Sequence, residues 1–103
     1  MARRKTEALV RVALAMLREP FGRHYGYGLM DAAHVLSGTL YPILDRMLDD
    51  DWVTAQWDLD ESTGKPRRIY ELTDRGRQEL GAVVAHAKAD RRFASLFGGP
   101  VVS

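Results

Sequence analysis

The chain has 103 residues, 46% hydrophobic and 28% charged, with a formal net charge of +1, which suits one soluble globular domain with one modest core. It has no cysteine, which excludes disulfides and thiolate metal sites. No apolar run approaches the roughly 20 residues of a bilayer span, and no signal-peptide pattern follows the basic start Arg3-Arg4-Lys5, so a cytoplasmic location is the default expectation.

Leu9, Val12, Ala13, Met16 and Leu17 follow the i, i+3, i+4, i+7, i+8 pattern of a helix with one buried face. The pattern predicts a helix over 5–19, stopped by Pro20 and Gly22. Val10 and Leu14 widen the stripe, so this helix is expected to touch two neighbours. A short second helix is predicted over 26–33 from Leu29, Met30, Ala32 and Ala33. Gly28 inside it costs about 1 kcal/mol relative to alanine.

A third helix begins near Ser37, whose hydroxyl is expected to cap it, and carries the stripe Leu40, Ile43, Leu44 and Met47. Pro42 is acceptable only near the first turn, which places the start no earlier than about Gly38. Three acids, Asp49-Asp50-Asp51, follow. Consecutive residues diverge around a helix end, so they read as a solvated turn rather than a metal site, with Asp51 in the left-handed position glycine often fills.

Residues 52–58 alternate, with Val53, Ala55 and Trp57 on one face; residues 67–73 alternate with Arg68, Tyr70 and Leu72 on one face and Ile69 and Glu71 on the other. Both read as strands. The polar segment 59–66 between them predicts a hairpin with a long, exposed loop. Tyr70 and Leu72 are expected in the core, and Trp57 packed under the hairpin. Thr73 caps a last helix predicted to run to about Leu96, where Gly98-Gly99-Pro100 ends it. Gly76 inside that helix marks a close backbone approach.

The small net charge conceals a strong pattern. Residues 1–25 carry +4, residues 26–62 carry −7, and residues 63–77 carry +3. Two basic zones therefore flank an acidic middle, which suits a phosphate-rich partner at the ends only. The three histidines are scattered, so no metal site or cofactor is expected. No nucleophile sits beside a base and no glycine-rich phosphate loop follows a strand, so nothing points to an enzyme.

The order helix, helix, helix, strand, strand, helix is that of an α+β winged helix-turn-helix with a two-stranded wing. The turn His34-Val35-Leu36 joins its two central helices. In such units the start of the second of these helices enters the major groove of DNA. Ser37, Thr39 and Tyr41 place hydroxyl groups there, and helical phase turns Tyr41 away from the core. Lys65, Arg67 and Arg68 supply cations on the wing, and the arm Arg3-Arg4-Lys5 could add more. The last helix, at about 20 residues, would span roughly 30 Å. Part of it must overhang so small a domain, so its apolar stripe Leu80, Val83, Val84, Ala87, Ala94 and Phe97 is expected to pair two chains in a homodimer.

Four stretches resemble blocks of the PadR-like family of transcriptional regulators, in family order across residues 24–76. His24-Tyr25-Gly26-Tyr27-Gly28-Leu29-Met30 looks like its YGYEL block, and Ser37-Gly38-Thr39-Leu40-Tyr41-Pro42-Ile43-Leu44 resembles GTLYP. Arg46-Met47-Leu48-Asp49-Asp50-Asp51-Trp52-Val53-Thr54 is similar to RLEEEGLVT. Gly64-Lys65-Pro66-Arg67-Arg68-Ile69-Tyr70-Glu71-Leu72-Thr73-Asp74-Arg75-Gly76 resembles the family's wing and exit. Three positions depart: Gly28 replaces a usual Glu, Asp51 a common Gly, and Trp52 a common Leu.

The resemblance implies a repressor that binds double-stranded DNA, at a palindromic operator, as a homodimer. It places the DNA contacts on Tyr25, Ser37, Thr39, Tyr41, Lys65, Arg67 and Arg68. It divides the chain into a DNA-binding region 1–76, a dimerisation helix 77–97 packed in the same domain, and a flexible tail 98–103. It further implies release from DNA by an aromatic small-molecule effector. Relatives in the family's short branch use an aromatic residue of the last helix at the dimer pore; this chain has Phe93 and Phe97 there but no Trp. The acidic middle supports an alternative, a winged-helix protein-interaction module that does not bind DNA.

Overall fold

The structure, a computed structural model, describes residues 6–97. The arm Arg3-Arg4-Lys5, the stop Gly98-Gly99-Pro100 and the expected tail lie outside the described residues. In chain order the elements are α1 (Glu7–Leu17), β1 (His24–Tyr25), α2 (Gly26–Ala33), α3 (Ser37–Asp49), β2 (Val53–Asp60), β3 (Lys65–Leu72), α4 (Asp74–Lys88) and a closing 3-10 helix (Arg91–Phe97).

Helix α1 starts where Thr6 caps it, accepting a hydrogen bond from the Leu9 amide at 3.2 Å. Its widened stripe packs in two directions. Leu9, Val12, Ala13 and Met16 join the main core with Leu29, Leu40, Leu44, Met47, Tyr70 and Leu80. Val10 turns the other way, into a second cluster with Ala87 and Phe93.

The α2–α3 turn is set by His34, which takes a left-handed conformation at φ 55°. Helix α3 begins at Ser37, but Ser37 does not cap it. Leu36 is the cap residue; its carbonyl accepts from the Thr39 and Leu40 amides at 3.0 and 2.9 Å, which draws Ser37 into the first turn. Pro42 lies in the sixth position of the helix. It offers no N–H to the carbonyl of Gly38, and this is tolerated because Gly38 is exposed to water. The helix ends with Asp51 in the left-handed position expected of it. Asp51 has φ 61°, and the Trp52 and Asp51 amides reach back to the carbonyls of Met47 and Leu48 at 2.8 and 3.1 Å, a Schellman-type closure.

The sheet has three strands in the order β1-β3-β2, all antiparallel, so a two-residue strand joins the expected pair. His24 pairs with Tyr70 and Tyr25 with Ile69. The hairpin loop is shorter than its polar composition suggests, because β2 continues to Asp60 and β3 begins at Lys65. Gly64, at φ 72°, closes the turn and donates its amide to the Asp60 carbonyl at 2.7 Å. Pro66 is accommodated because β1 reaches only residues 69–70, leaving this part of β3 with a partner on one side.

Helix α4 is capped by Thr73, whose hydroxyl accepts from the Gly76 amide and donates to the Asp51 carbonyl. A Cβ on Gly76 would strike the carbonyl of Trp52, so the close approach expected there is present. The single long helix is not. The chain breaks after Lys88, and Asp90 caps a new 3-10 turn by accepting from the Arg92 amide at 2.9 Å. That turn folds Phe93 back against Val10 and Ala87. The expected overhang is thus replaced by a second small core. Leu80 and Ala87, expected to face a second chain, are fully buried in their own.

Candidate nucleic-acid interface

Helix α3 and the hairpin enclose a groove of about 520 Å³. Its wall is aromatic: the chain's four tyrosines, Tyr25, Tyr27, Tyr41 and Tyr70, all line it, with Trp57. Two guanidinium groups, from Arg67 and Arg68, and one carboxylate, from Asp45, complete it.

The α3 side follows from helical phase. Ser37, Tyr41 and Asp45 recur at i, i+4 and i+8 and so share one face. Tyr41 is 40% exposed, and its hydroxyl rests where a Cβ of Gly26 would sit. Gly26 is therefore the residue that lets the Tyr41 ring lean across the start of α2. No side chain caps α3, and the Thr39 amide is taken by the Leu36 carbonyl, so the amides of Ser37 and Gly38 are the ones left to an outside acceptor. Ser37 and Thr39 are exposed at that end.

The wing side follows from strand alternation. The cross-strand pairs Val53–Leu72, Ala55–Tyr70, Trp57–Arg68 and Leu59–Pro66 lie on one face. The first two pairs enter the core, and the last two continue that face beyond it. Trp57 is consequently 68% exposed rather than packed under the wing. The Arg68 guanidinium lies 5.7 Å from the Trp57 ring and 5.9 Å from the Tyr70 ring. Burial pushes the Tyr70 phenol up from its ordinary value, against the opposing pull of Arg68.

The opposite wing face carries the charge pairs. Asp58 faces Arg67 and Asp60 faces Lys65. Arg67 is turned inward: it reaches Asp58 at 3.4 Å and Asp60 at 3.7 Å, and its guanidinium lies 4.0 Å over the Tyr25 ring. Desolvation alone would lower its pKa, but Tyr25, Asp58 and Asp60 outweigh this and raise it. Asp60 is held below the usual carboxylate range, first by hydrogen bonds from Ser62 and then by the Arg67 charge.

The seven residues marked for DNA contact therefore divide. Tyr25, Tyr41, Arg67 and Arg68 converge on the groove. Ser37 and Thr39 stand at the start of α3, and Lys65 at the wing turn, all exposed. Arg67 is already engaged by two carboxylates, unlike Arg68 and Lys65, which have no carboxylate in ion-pair range among the described residues. Sequence reasoning missed Tyr27, Asp45 and Trp57. The signal for Trp57 was in the alternation: its face is the core face, carried past the point where the core ends.

No helix among the described residues is long and apolar enough to cross a bilayer.

The model of the Transcriptional regulator PadR-like family matches residues 14–82. A PadR family transcriptional regulator from Eggerthella lenta is similar at 33% identity, over 79% of this chain and 77% of that one, with a TM-score of 0.59. Pex from Synechococcus is 26% identical over 78% and 79% of the two chains, with a TM-score of 0.60. A PadR family transcription regulator from Clostridium difficile shares the fold at 19% identity and a TM-score of 0.68, over 91% of this chain and all of that one. Among curated proteins nothing matches the sequence. With the matched segment covering the helix-turn-helix, the wing and half of α4, this chain belongs to the PadR-like family, as a DNA-binding transcription regulator and not an enzyme.

Proposed function

We propose that the chain is a repressor that binds a palindromic operator as a two-fold homodimer and leaves it when a small aromatic effector binds. The observation that carries the DNA-reading part is the uncapped start of α3, with exposed Ser37 and Thr39, beside a wing bearing Lys65 and Arg68. Free helix amides and hydroxyls donate to phosphate oxygens or read base edges. Cations on a thin wing reach the adjacent strand or minor groove.

The dimer surface is narrower than the stripe expected from sequence. Leu80 and Ala87 have no area left to offer. Val83, Val84, Ala94 and Phe97 are half-buried and form the rim on which a second copy would close. In this reading Phe97, which is partly buried, rather than the buried Phe93, is the aromatic side chain that meets the effector.

Two α3 helices in such a dimer stand about 34–36 Å apart, one turn of DNA. Hydroxyl-radical footprinting on a duplex selected from a random pool tests this. Two protected patches, one turn apart and related by symmetry, are expected. A single patch contradicts the dimeric mode, and no protection at low salt favours the protein-interaction module.

A further inference from the structure

We propose that the groove between α3 and the wing seats one sugar–phosphate strand of the duplex, with a deoxyribose against the indole of Trp57 and a neighbouring phosphate at Arg68. This rests on the DNA-binding reading above and adds to it a contact residue that no motif covers.

When α3 occupies the major groove and the wing the adjacent minor groove, the element between them is the one strand that separates those grooves. The α3–wing groove therefore straddles a strand.

The two wing faces differ in chemistry. Trp57 and Leu59 are 68% and 58% exposed, on a face shared with Pro66 and Arg68. The other face carries Asp58 and Asp60. Those acids face Arg67 and Lys65 across the strands, which leaves that side near neutral, whereas the Trp57 face bears a guanidinium with no carboxylate in ion-pair range and accepts a polyanion. Sugars are the least charged part of a strand, and an exposed ring face covers them at little desolvation cost. The cation–π contact holds Arg68 beside the indole, so ring and cation are presented together.

The exposed Tyr27 and the Tyr41 ring add aromatic surface opposite the wing. Asp45 is the single carboxylate among the groove residues, and it opposes a bound strand. Its removal is therefore informative.

The test uses the intact chain and a mixed-sequence duplex at low salt, which needs no knowledge of the operator because phosphate contacts supply non-specific affinity. Trp57→Ala is expected to weaken binding about tenfold, equivalent to about 1.4 kcal/mol, with the salt slope unchanged because no phosphate contact is lost. Trp57→Phe is expected to retain most of the affinity, and Asp45→Asn to tighten binding. In a Trp52→Phe background, emission from Trp57 should change on adding duplex. Unchanged affinity in Trp57→Ala, or silent Trp57 emission while the duplex binds, overturns the proposal and leaves the DNA reading intact. So does a shift in oligomeric state in Trp57→Ala, which would make a second copy the occupant. Failure of the unsubstituted chain to bind any duplex overturns the DNA reading itself.

Discussion

The guanidinium of Arg67 lies 4.0 Å above the ring of Tyr25 while the same group reaches Asp58 and Asp60 across the wing. Tyr25 is also the residue from which α2 starts. One side chain thus ties the wing to the helix-turn-helix and fixes the width of the groove between them. Arg67→Ala should lower stability and speed amide hydrogen exchange along 58–67. Arg68→Ala should leave wing exchange unchanged. Equal effects from the two would remove the distinction between an internal strut and a free cation.

Two glycines of α4 should respond with opposite signs. A Cβ on Gly76 meets the Trp52 carbonyl, whereas one on Gly81 meets nothing within 4 Å. Gly76→Ala is expected to destabilise by about 2–3 kcal/mol through a backbone clash. Gly81→Ala should stabilise by up to about 1 kcal/mol through helix propensity. Chemical denaturation reads both.

Asp51 occupies a left-handed position at φ 61°, where a side chain is strained and glycine is not. Asp51→Gly should therefore raise stability by about 1 kcal/mol without altering DNA affinity. A thermal melt showing a lower midpoint would contradict the strain argument.

Phe93 is buried against Val10 and Ala87 of its own chain. Phe93→Ala should cost about 3 kcal/mol, and the shift in denaturation midpoint should be the same at all protein concentrations. A loss that grows on dilution would mean instead that Phe93 contacts a second copy.

Much of this was legible in the sequence because the deciding terms are local. The apolar spacing of Leu9 to Leu17 gave both packing directions of α1. Thr73 and Asp51 announced a cap and a left-handed turn, and both are present. What failed was decided by competition or by distance. Ser37 has a capping side chain, but the Leu36 carbonyl took that place. The period from Leu80 to Phe97 continues in sequence, yet the capping side chain of Asp90 breaks the helix and Phe93 gains a buried site by folding back. Arg67 and Arg68 are adjacent and identical in sequence. Only strand pairing shows that one faces two carboxylates and the other an indole.

In the proposed mode the chain grips DNA phosphates with Arg68 and Lys65 of the wing, while Arg67 braces it. The most direct measurement is duplex affinity as a function of salt for the unsubstituted chain, Arg68→Ala, Lys65→Ala and Arg67→Ala. Log affinity should fall linearly with log salt, and the slope should flatten by about one unit in each of the first two variants, with a smaller change in Arg67→Ala. Affinity that is independent of salt, or a slope that only Arg67→Ala flattens, would contradict the account.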